Sequence, residues 1–264
     1  MIRQPIGRRA TIALGAASFA ALLAGYAWLS HRAHVENPRN RTLPNLSQFV
    51  EGWQRLATGD RGIDLPADAW ASGSRLALGV GAGVLLAFAT GLAMGCFTWV
   101  RALLEPPLSF FAKIPPTAML AVYFVLFGAT SMQIYVALIA LGVFPTLAQS
   151  IAQAAEKDVD DHTIYKSYTL GASNFEVVWQ VVLRQVLPRI IESTRLQIGP
   201  AMVFLIAAEY SLADVGFGYT LRMQSRLQNM NVVYTYLALL ALSGLLIDAG
   251  LTLLRRRLCP WFGK

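Results

Sequence analysis

Residues 76–100 read LALGVGAGVLLAFATGLAMGCFTWV, an apolar run without a charged side chain. A helix of roughly 20 such residues crosses the hydrocarbon core of a bilayer. Glycines recur at Gly79, Gly81, Gly83, Gly91 and Gly95, and Gly91 and Gly95 stand in GxxxG spacing. Small residues let helices approach closely where lipid offers no hydrophobic drive. They do not make a nucleotide-binding fingerprint, because no strand precedes them and their spacing is wrong. The run is expected to be a transmembrane helix packed tightly on a neighbour.

Downstream, Arg101 closes the run, and Glu105-Pro106-Pro107 and Lys113-Ile114-Pro115-Pro116 follow. The third span, Thr117–Phe127 extended backwards by Leu108–Phe111, should bend or restart at its prolines. A tight turn is expected at Gly128–Met132. The fourth span is Gln133–Ile151, with Pro145 inside it. Neighbouring helices can satisfy the carbonyl which that proline frees. The fifth span is Ile190–Leu212, and the sixth is Val232–Leu254, closed by Arg255-Arg256-Arg257.

Upstream, Thr11–Ser30 follows Arg3, Arg8 and Arg9. A cleaved signal peptide also starts with a basic stretch, but this run is long enough to span and no small-x-small site precedes His31. A retained helix is expected. Residues 31–74 carry Arg32, Arg39, Arg41, Arg55 and Arg61 among Glu36, Glu51, Asp60, Asp64 and Asp68, interrupted by Pro38, Pro44 and Pro66. They are expected to form an exposed loop with one amphipathic piece at Leu46–Leu56. The fold class is all-α: an integral membrane bundle of about six helices. Residues 1–74 form an N-terminal helix plus external loop. Residues 75–264 form the membrane domain, with a polar segment at 152–189.

Composition agrees. Hydrophobic residues make up 55% of the chain and charged ones only 14%, too few charges for a soluble domain of this length. Cys96 and Cys259 form no CxxC pair and no disulfide framework. Net charge is +7, but the basic residues flank apolar runs, and no aromatic-basic module or zinc spacing points to nucleic acid. Six spans put both termini on one side. Arg3, Arg8, Arg9, Arg101, Lys113, Lys157, Lys166, Arg184, Arg189, Arg255, Arg256, Arg257 and Lys264 fall there, against Arg222 and Arg226 in the last loop opposite. The positive-inside rule then makes both termini cytoplasmic, and the arginines of 31–74 weaken the contrast without reversing it.

Residues 152–189 are the longest polar stretch of the second half, and within it residues 158–188 read DVDDHTIYKSYTLGASNFEVVWQVVLRQVLP. Asp158, Asp160 and Asp161 suit a helix N-terminus. Gly171 after Leu170 suits a left-handed C-terminal cap. Ser173 with Glu176 is a capping box. Phe175, Val178, Trp179, Val182 and Val186 form a stripe at helical spacing, and Pro188 is expected to end that helix. Two readings fit this helix–Gly–helix: an ordinary loop packed on its own membrane domain, or a docking element for a cytosolic partner.

Three segments carry a resemblance. Glu105-Pro106-Pro107-Leu108 with Lys113-Ile114-Pro115-Pro116-Thr117-Ala118 and Phe127-Gly128 is one. Leu170-Gly171-Ala172-Ser173 with Leu183–Pro188 is the second, and Ala207-Ala208-Glu209 with Gly216-Phe217-Gly218-Tyr219 the third. Over residues 75–260 the chain resembles ABC importer permeases of the nitrate, sulfonate and taurine type, the inner-membrane subunits of binding-protein-dependent transport. The resemblance implies a multi-pass protein of the bacterial cytoplasmic membrane and a second permease subunit, alike or different. It also implies cytosolic ATP-binding subunits and an external or periplasmic substrate-binding protein. The chain itself would be non-catalytic and carry no cofactor and no metal. It has no GxxxxGK[ST], so ATP would be held by another chain. By resemblance, Tyr165, Lys166, Ser167, Leu170, Gly171, Ala172 and Ser173 would contact the ATPase. Tyr165-Lys166-Ser167 stands where the family has Glu-Ala-Ala, and Arg184 where it often has proline.

Glu209 lies inside the fifth span, where a carboxylate costs about 2.5–3.5 kcal/mol on insertion scales and should face the bundle interior or a water-filled cavity. Glu209, Tyr210, Pro115 and Pro116 are the candidates for the translocation path of a small polar or anionic solute. Asp248 could pair with Arg195. His31 and His34 lack a third ligand for a metal. The alternatives are a secondary transporter or channel, which needs no helix–Gly–helix loop, and a membrane enzyme or scaffold, for which no catalytic constellation exists.

Overall fold

The computed structural model describes residues 7–37, 40, 42–59, 63–128 and 131–262. The expectations placed on Arg3, Pro38, Arg39, Arg41, Asp60, Arg61 and Lys264, on the Arg8 side chain, and on residues 129–130 of the Gly128–Met132 turn lie outside them. Every regular element among the described residues is helical. Five helices are long and apolar enough to cross a membrane: 9–36, 65–96, 132–157, 174–212 and 230–258. A further pair, 98–111 and 116–127, passes the same test together and is bent by 82° at 112–115. The bend falls at Lys113-Ile114-Pro115-Pro116, where missing amide hydrogens and fixed φ prevent continuation.

By contact the chain forms two units, one of residues 1–63 with 223–237 and one of residues 64–222 with 238–264. In the first, α1 (Arg8–Glu36) carries the expected first span. Helix α2 (Leu46–Thr58) is the expected amphipathic piece, opened by a capping box between Asn45 and Gln48 and closed by Gly59 at φ +67°. Tyr26, Phe49 and Tyr234 meet with ring centroids 5.9–6.1 Å apart and hold α1, α2 and the start of α11 (Met230–Leu258) together.

The second unit is built around α3 (Leu65–Cys96) and α6 (Met132–Lys157). Their glycine seam is as tight as the sequence implies. A Cβ on Gly91 would lie 2.6 Å from the Ala148 carbonyl oxygen, and one on Gly95 2.4 Å from the Ala155 Cβ. Leu76, Ala87, Met94, Ile139, Val143, Leu147, Ile151, Val186, Ala201 and Leu205 form the buried core here. Helices α4 (Thr98–Phe111), α5 (Leu120–Phe127, after a 3₁₀ turn at Pro116–Met119), α7 (Asp161–Thr169) and α8 (Asn174–Glu176) follow in chain order. A π-helical segment, Val177–Val182, runs from α8 into α9 (Leu183–Leu212), and α10 (Phe217–Arg226) comes next.

Three boundaries differ from expectation. Helix α3 starts at Leu65, within the stretch expected as loop, with Asp64 capping it and Pro66 in its first turn. It ends at Cys96, and Phe97 in an extended conformation separates it from α4, so 76–100 is not one span. Pro188 does not end a helix. Val186, Pro188, Ile190 and Ile191 are all buried, and that packing outweighs the lost backbone hydrogen bond.

Candidate functional site

The polar segment folds as a hairpin of two helices with glycine at its apex. Asp160 caps α7 by accepting from the His162 amide. At its other end the Gly171 N–H donates to the Tyr168 carbonyl at 3.0 Å and the Ala172 N–H to that of Ser167 at 3.1 Å. That pair is the Schellman pattern, which places its C′ residue in left-handed space. Gly171 has φ +86°. Two residues on, the Ser173 hydroxyl accepts from the Glu176 N–H at 3.3 Å while the Glu176 carboxylate accepts from the Ser173 N–H at 2.8 Å. Tyr168 Oη donates to Asn174 Oδ1 across the apex at 3.0 Å.

The hairpin has a fixed side and a bare side. Ile164, Ala172, Val177, Val178, Val181 and Val182 pack into the core of the unit. Leu170 is 88% exposed, Phe175 70% and Tyr165 64%, and Lys166 is exposed beside them. The stripe expected at Phe175, Val178, Trp179, Val182 and Val186 is therefore split, with Phe175 and Trp179 outward and Val182 and Val186 inward. Ser167 is half-buried, its hydroxyl donating to the Thr163 carbonyl. A shallow depression lined by Ser167, Leu170, Gly171, Ala172, Glu176 and Val177 lies between the two helices.

Glu209 sits near the end of α9 and is wholly enclosed, at 0% exposure. Arg75 Nη1 donates to one carboxylate oxygen at 2.8 Å, the Gly218 N–H donates to the other at 2.9 Å, and Ser72 Oγ lies 2.8 Å from both. Ser72 Oγ in turn accepts from the Phe217 N–H at 2.9 Å. One turn back along α3, Asp68 accepts from the Gly216 N–H at 2.8 Å and the Thr220 hydroxyl at 2.6 Å. Arg75 also donates to the Val215 carbonyl at 2.8 Å and lies 4.2 Å over the Tyr135 ring. Three carboxylate or hydroxyl groups thus receive the first amides of α10, where the helix dipole favours negative charge. Arg222 donates to the carbonyls of Tyr210, Ser211 and Ala213 and so caps the end of α9.

The interior environment expected for Glu209 is present, and protein groups rather than a cavity surround it. Asp68, Ser72 and Arg75 were missed as its company. Their i, i+4, i+7 spacing behind the Asp64–Pro66 helix start is the signal that marks one face of α3. The remaining candidates lie apart. Tyr210 is 45% exposed. Pro115 is exposed, and Pro116 joins Leu108, Phe111, Met119, Leu141 and Phe144 around an apolar cleft of about 260 Å³. Arg195 pairs with Asp248 as expected. His34 sets Nδ1 2.8 Å from the Ser30 carbonyl oxygen.

Membrane-length helices joined by an ordered helix–Gly–helix that is bare on one side define a multi-pass membrane protein. Residues 79–259 match the family described as binding-protein-dependent transport system inner membrane component, and the chain belongs to that family. It is 32% identical to the taurine transport system permease protein TauC of Escherichia coli (strain K12), over 99% of this chain and 94% of that protein. It is 29% identical to a probable ABC transporter permease protein of Brucella melitensis biotype 1, over 75% and 79%. Its fold is similar to that of a chain in the inward-facing MetNI methionine ABC transporter, with TM-score 0.64, 17% identity, and coverage of 74% of this chain and 95% of that one. The family sets aside the secondary transporter and the channel. The chain is a permease subunit of an ABC importer in the inner membrane.

Proposed function

We propose that this permease admits a small sulfonate or similar oxyanion, handed over by an external binding protein, and that the hairpin around Gly171 couples its movement to a separate ATPase. The taurine and aliphatic sulfonate permeases among its relatives support the solute class. The bare apex carries the coupling reading. Leu170, Tyr165 and Phe175 are exposed on an element whose opposite side is fixed in the core. Helices held this rigidly by a Schellman turn and a capping box keep apolar side chains outward at a cost that a partner surface would offset. Tyr165-Lys166-Ser167 would then set which ATPase fits. The distribution of Lys and Arg supports cytoplasmic termini and a cytoplasmic hairpin. A pair of permeases, alike or different, would enclose the path, with Glu209 fastening the 213–218 loop beside it and Pro115 and Pro116 at the bend.

The test is purification from a strain expressing the permease with the Walker-motif ATPase encoded beside it. The ATPase should copurify, and hydrolysis should depend on it; ATP hydrolysis by the permease chain alone would end this reading. Single cysteines at Asn45 and Leu170 should react with an impermeant thiol reagent from opposite sides of sealed vesicles, and reaction of both from one side would refute the topology.

A further inference from the structure

The first unit contains a polar cleft of about 320 Å³, lined by Gln48, Glu51 and Arg55 of α2, by Gln228 and Asn229 of the turn before α11, and by Asn231 in its first turn. Helix α2 forms its wall because Gly52 presses bare backbone on α11. A Cβ there would lie 2.5 Å from the Thr235 hydroxyl and 2.6 Å from the Asn231 carbonyl oxygen. The aromatic trio of Tyr26, Phe49 and Tyr234 fixes the same crossing. The cleft is therefore built into the packing.

Two features mark it as a binding site. Arg55 is half-buried and Glu51 stands one turn before it, yet neither has an ion-pair partner among the described residues. Charges at this spacing lie on one helix face. The second feature is Gln228. Helix α10 ends in the same pattern as α7: the Gln228 N–H donates to the Ser225 carbonyl at 3.1 Å and the Asn229 N–H to that of Gln224 at 2.9 Å. The C′ residue takes φ +56° and is the one non-glycine residue in left-handed space among those described. Glycine fills this position without strain. A glutamine there keeps a strained backbone and gains a side chain that lines the cleft, and such strain collects at ligand sites. Asn229 donates to the Gln224 side chain and is thereby oriented.

We propose that this cleft binds a small zwitterion, with an oxyanion on the Arg55 guanidinium and neighbouring amides and an ammonium group on Glu51. A guanidinium fork matches the oxygens of a sulfonate or carboxylate. A carboxylate one turn away suits a cation a few bonds distant. The inference rests on the importer reading for the side of the membrane, since the topology proposed there puts both 46–58 and 227–231 outside. There the cleft would hold solute on the entry side of the permease.

The experiment uses the permease with its ATPase in lipid nanodiscs, without binding protein, titrated calorimetrically with 2-aminoethanesulfonate, ethanesulfonate and ethylammonium. The zwitterion should bind more tightly than either half. Arg55→Gln should weaken the zwitterion and ethanesulfonate about tenfold or more, the scale of one charge-assisted hydrogen bond. Glu51→Gln should weaken the zwitterion and leave ethanesulfonate unchanged. Gln228→Gly guards against misfolding, because it relieves the left-handed strain: it should raise the unfolding midpoint while weakening binding. Wild-type binding in all three variants, or no zwitterion binding by the wild type, overturns the cleft. If the ATPase copurifies and uptake proceeds in that case, the importer reading stands and this inference alone fails.

Discussion

Gly171 and Gly216 both take positive φ, +86° and +123°, but their surroundings differ. A Cβ on Gly171 would meet nothing within 4 Å, whereas one on Gly216 would lie 2.7 Å from Glu209 Oε1. At the hairpin apex only the backbone requires glycine. In the 213–218 loop the backbone and the space both do, because that loop is pressed on a buried carboxylate. The contrast separates two mechanical roles: the hairpin is locally ordered and open for contact, and the 213–218 loop is fastened to α3 and α9 through charges that water does not reach. Substitutions in the two regions should therefore fail differently, one in coupling and the other in folding.

The largest effect is expected at Glu209. Glu209→Ala leaves Arg75, whose side chain is 11% exposed, without its carboxylate. Removing one partner of a buried pair costs about 3–5 kcal/mol. Thermal unfolding followed by fluorescence-detected size exclusion should show a strongly lowered midpoint, with Glu209→Gln intermediate because one acceptor oxygen remains. The enclosure moves the expected defect from solute passage towards assembly, and an Ala variant of wild-type stability that fails to transport would restore the path-lining role. Next comes Gly218→Ala. The added Cβ would lie 2.5 Å from Glu209 Cβ and 2.7 Å from the Ile206 carbonyl oxygen, and overpacking of this kind costs about 1–3 kcal/mol. A midpoint equal to wild type would show that the loop yields.

The smallest stability effect and the sharpest functional one belong to Gly171→Val. Left-handed φ costs a residue with Cβ about 1–2 kcal/mol, and nothing adjoining would clash. Ser173 and Glu176 still cap the following helix, so insertion should be retained while ATPase association or stimulated hydrolysis falls. Gly171→Asn, which tolerates left-handed space, should retain coupling. Normal copurification and uptake in the Val variant would show that the hairpin is a passive connector, and the contrast between the regions would collapse.

Legibility in the sequence follows the range of the interaction. Asp160, Gly171, Ser173 and Glu176 could be read in advance because caps act within three or four residues. Pro115 and Pro116 announced the bend for the same reason, since a proline's effect reaches only its own turn. The start of α3 carries a local signal in Asp64 and Pro66, but hydropathy hides it. Asp68, Ser72 and Arg75 depress its hydropathy, and the groups that make their burial favourable lie 134–152 residues away. Pro188 misled in the opposite sense, because its local rule was overruled by burial on every side.

The sequence by itself determined the membrane class, the apolar spans, the glycine seam and the helix–Gly–helix, because each depends on hydropathy or on backbone chemistry within a few residues. Only the tertiary structure decided that Glu209 is fastened to Arg75, Ser72 and Gly218 instead of facing a cavity, and that Arg55, Glu51 and Gln228 share one cleft. A buried charge and a binding cleft are both defined by their neighbours, and here those neighbours come from helices far apart in the chain.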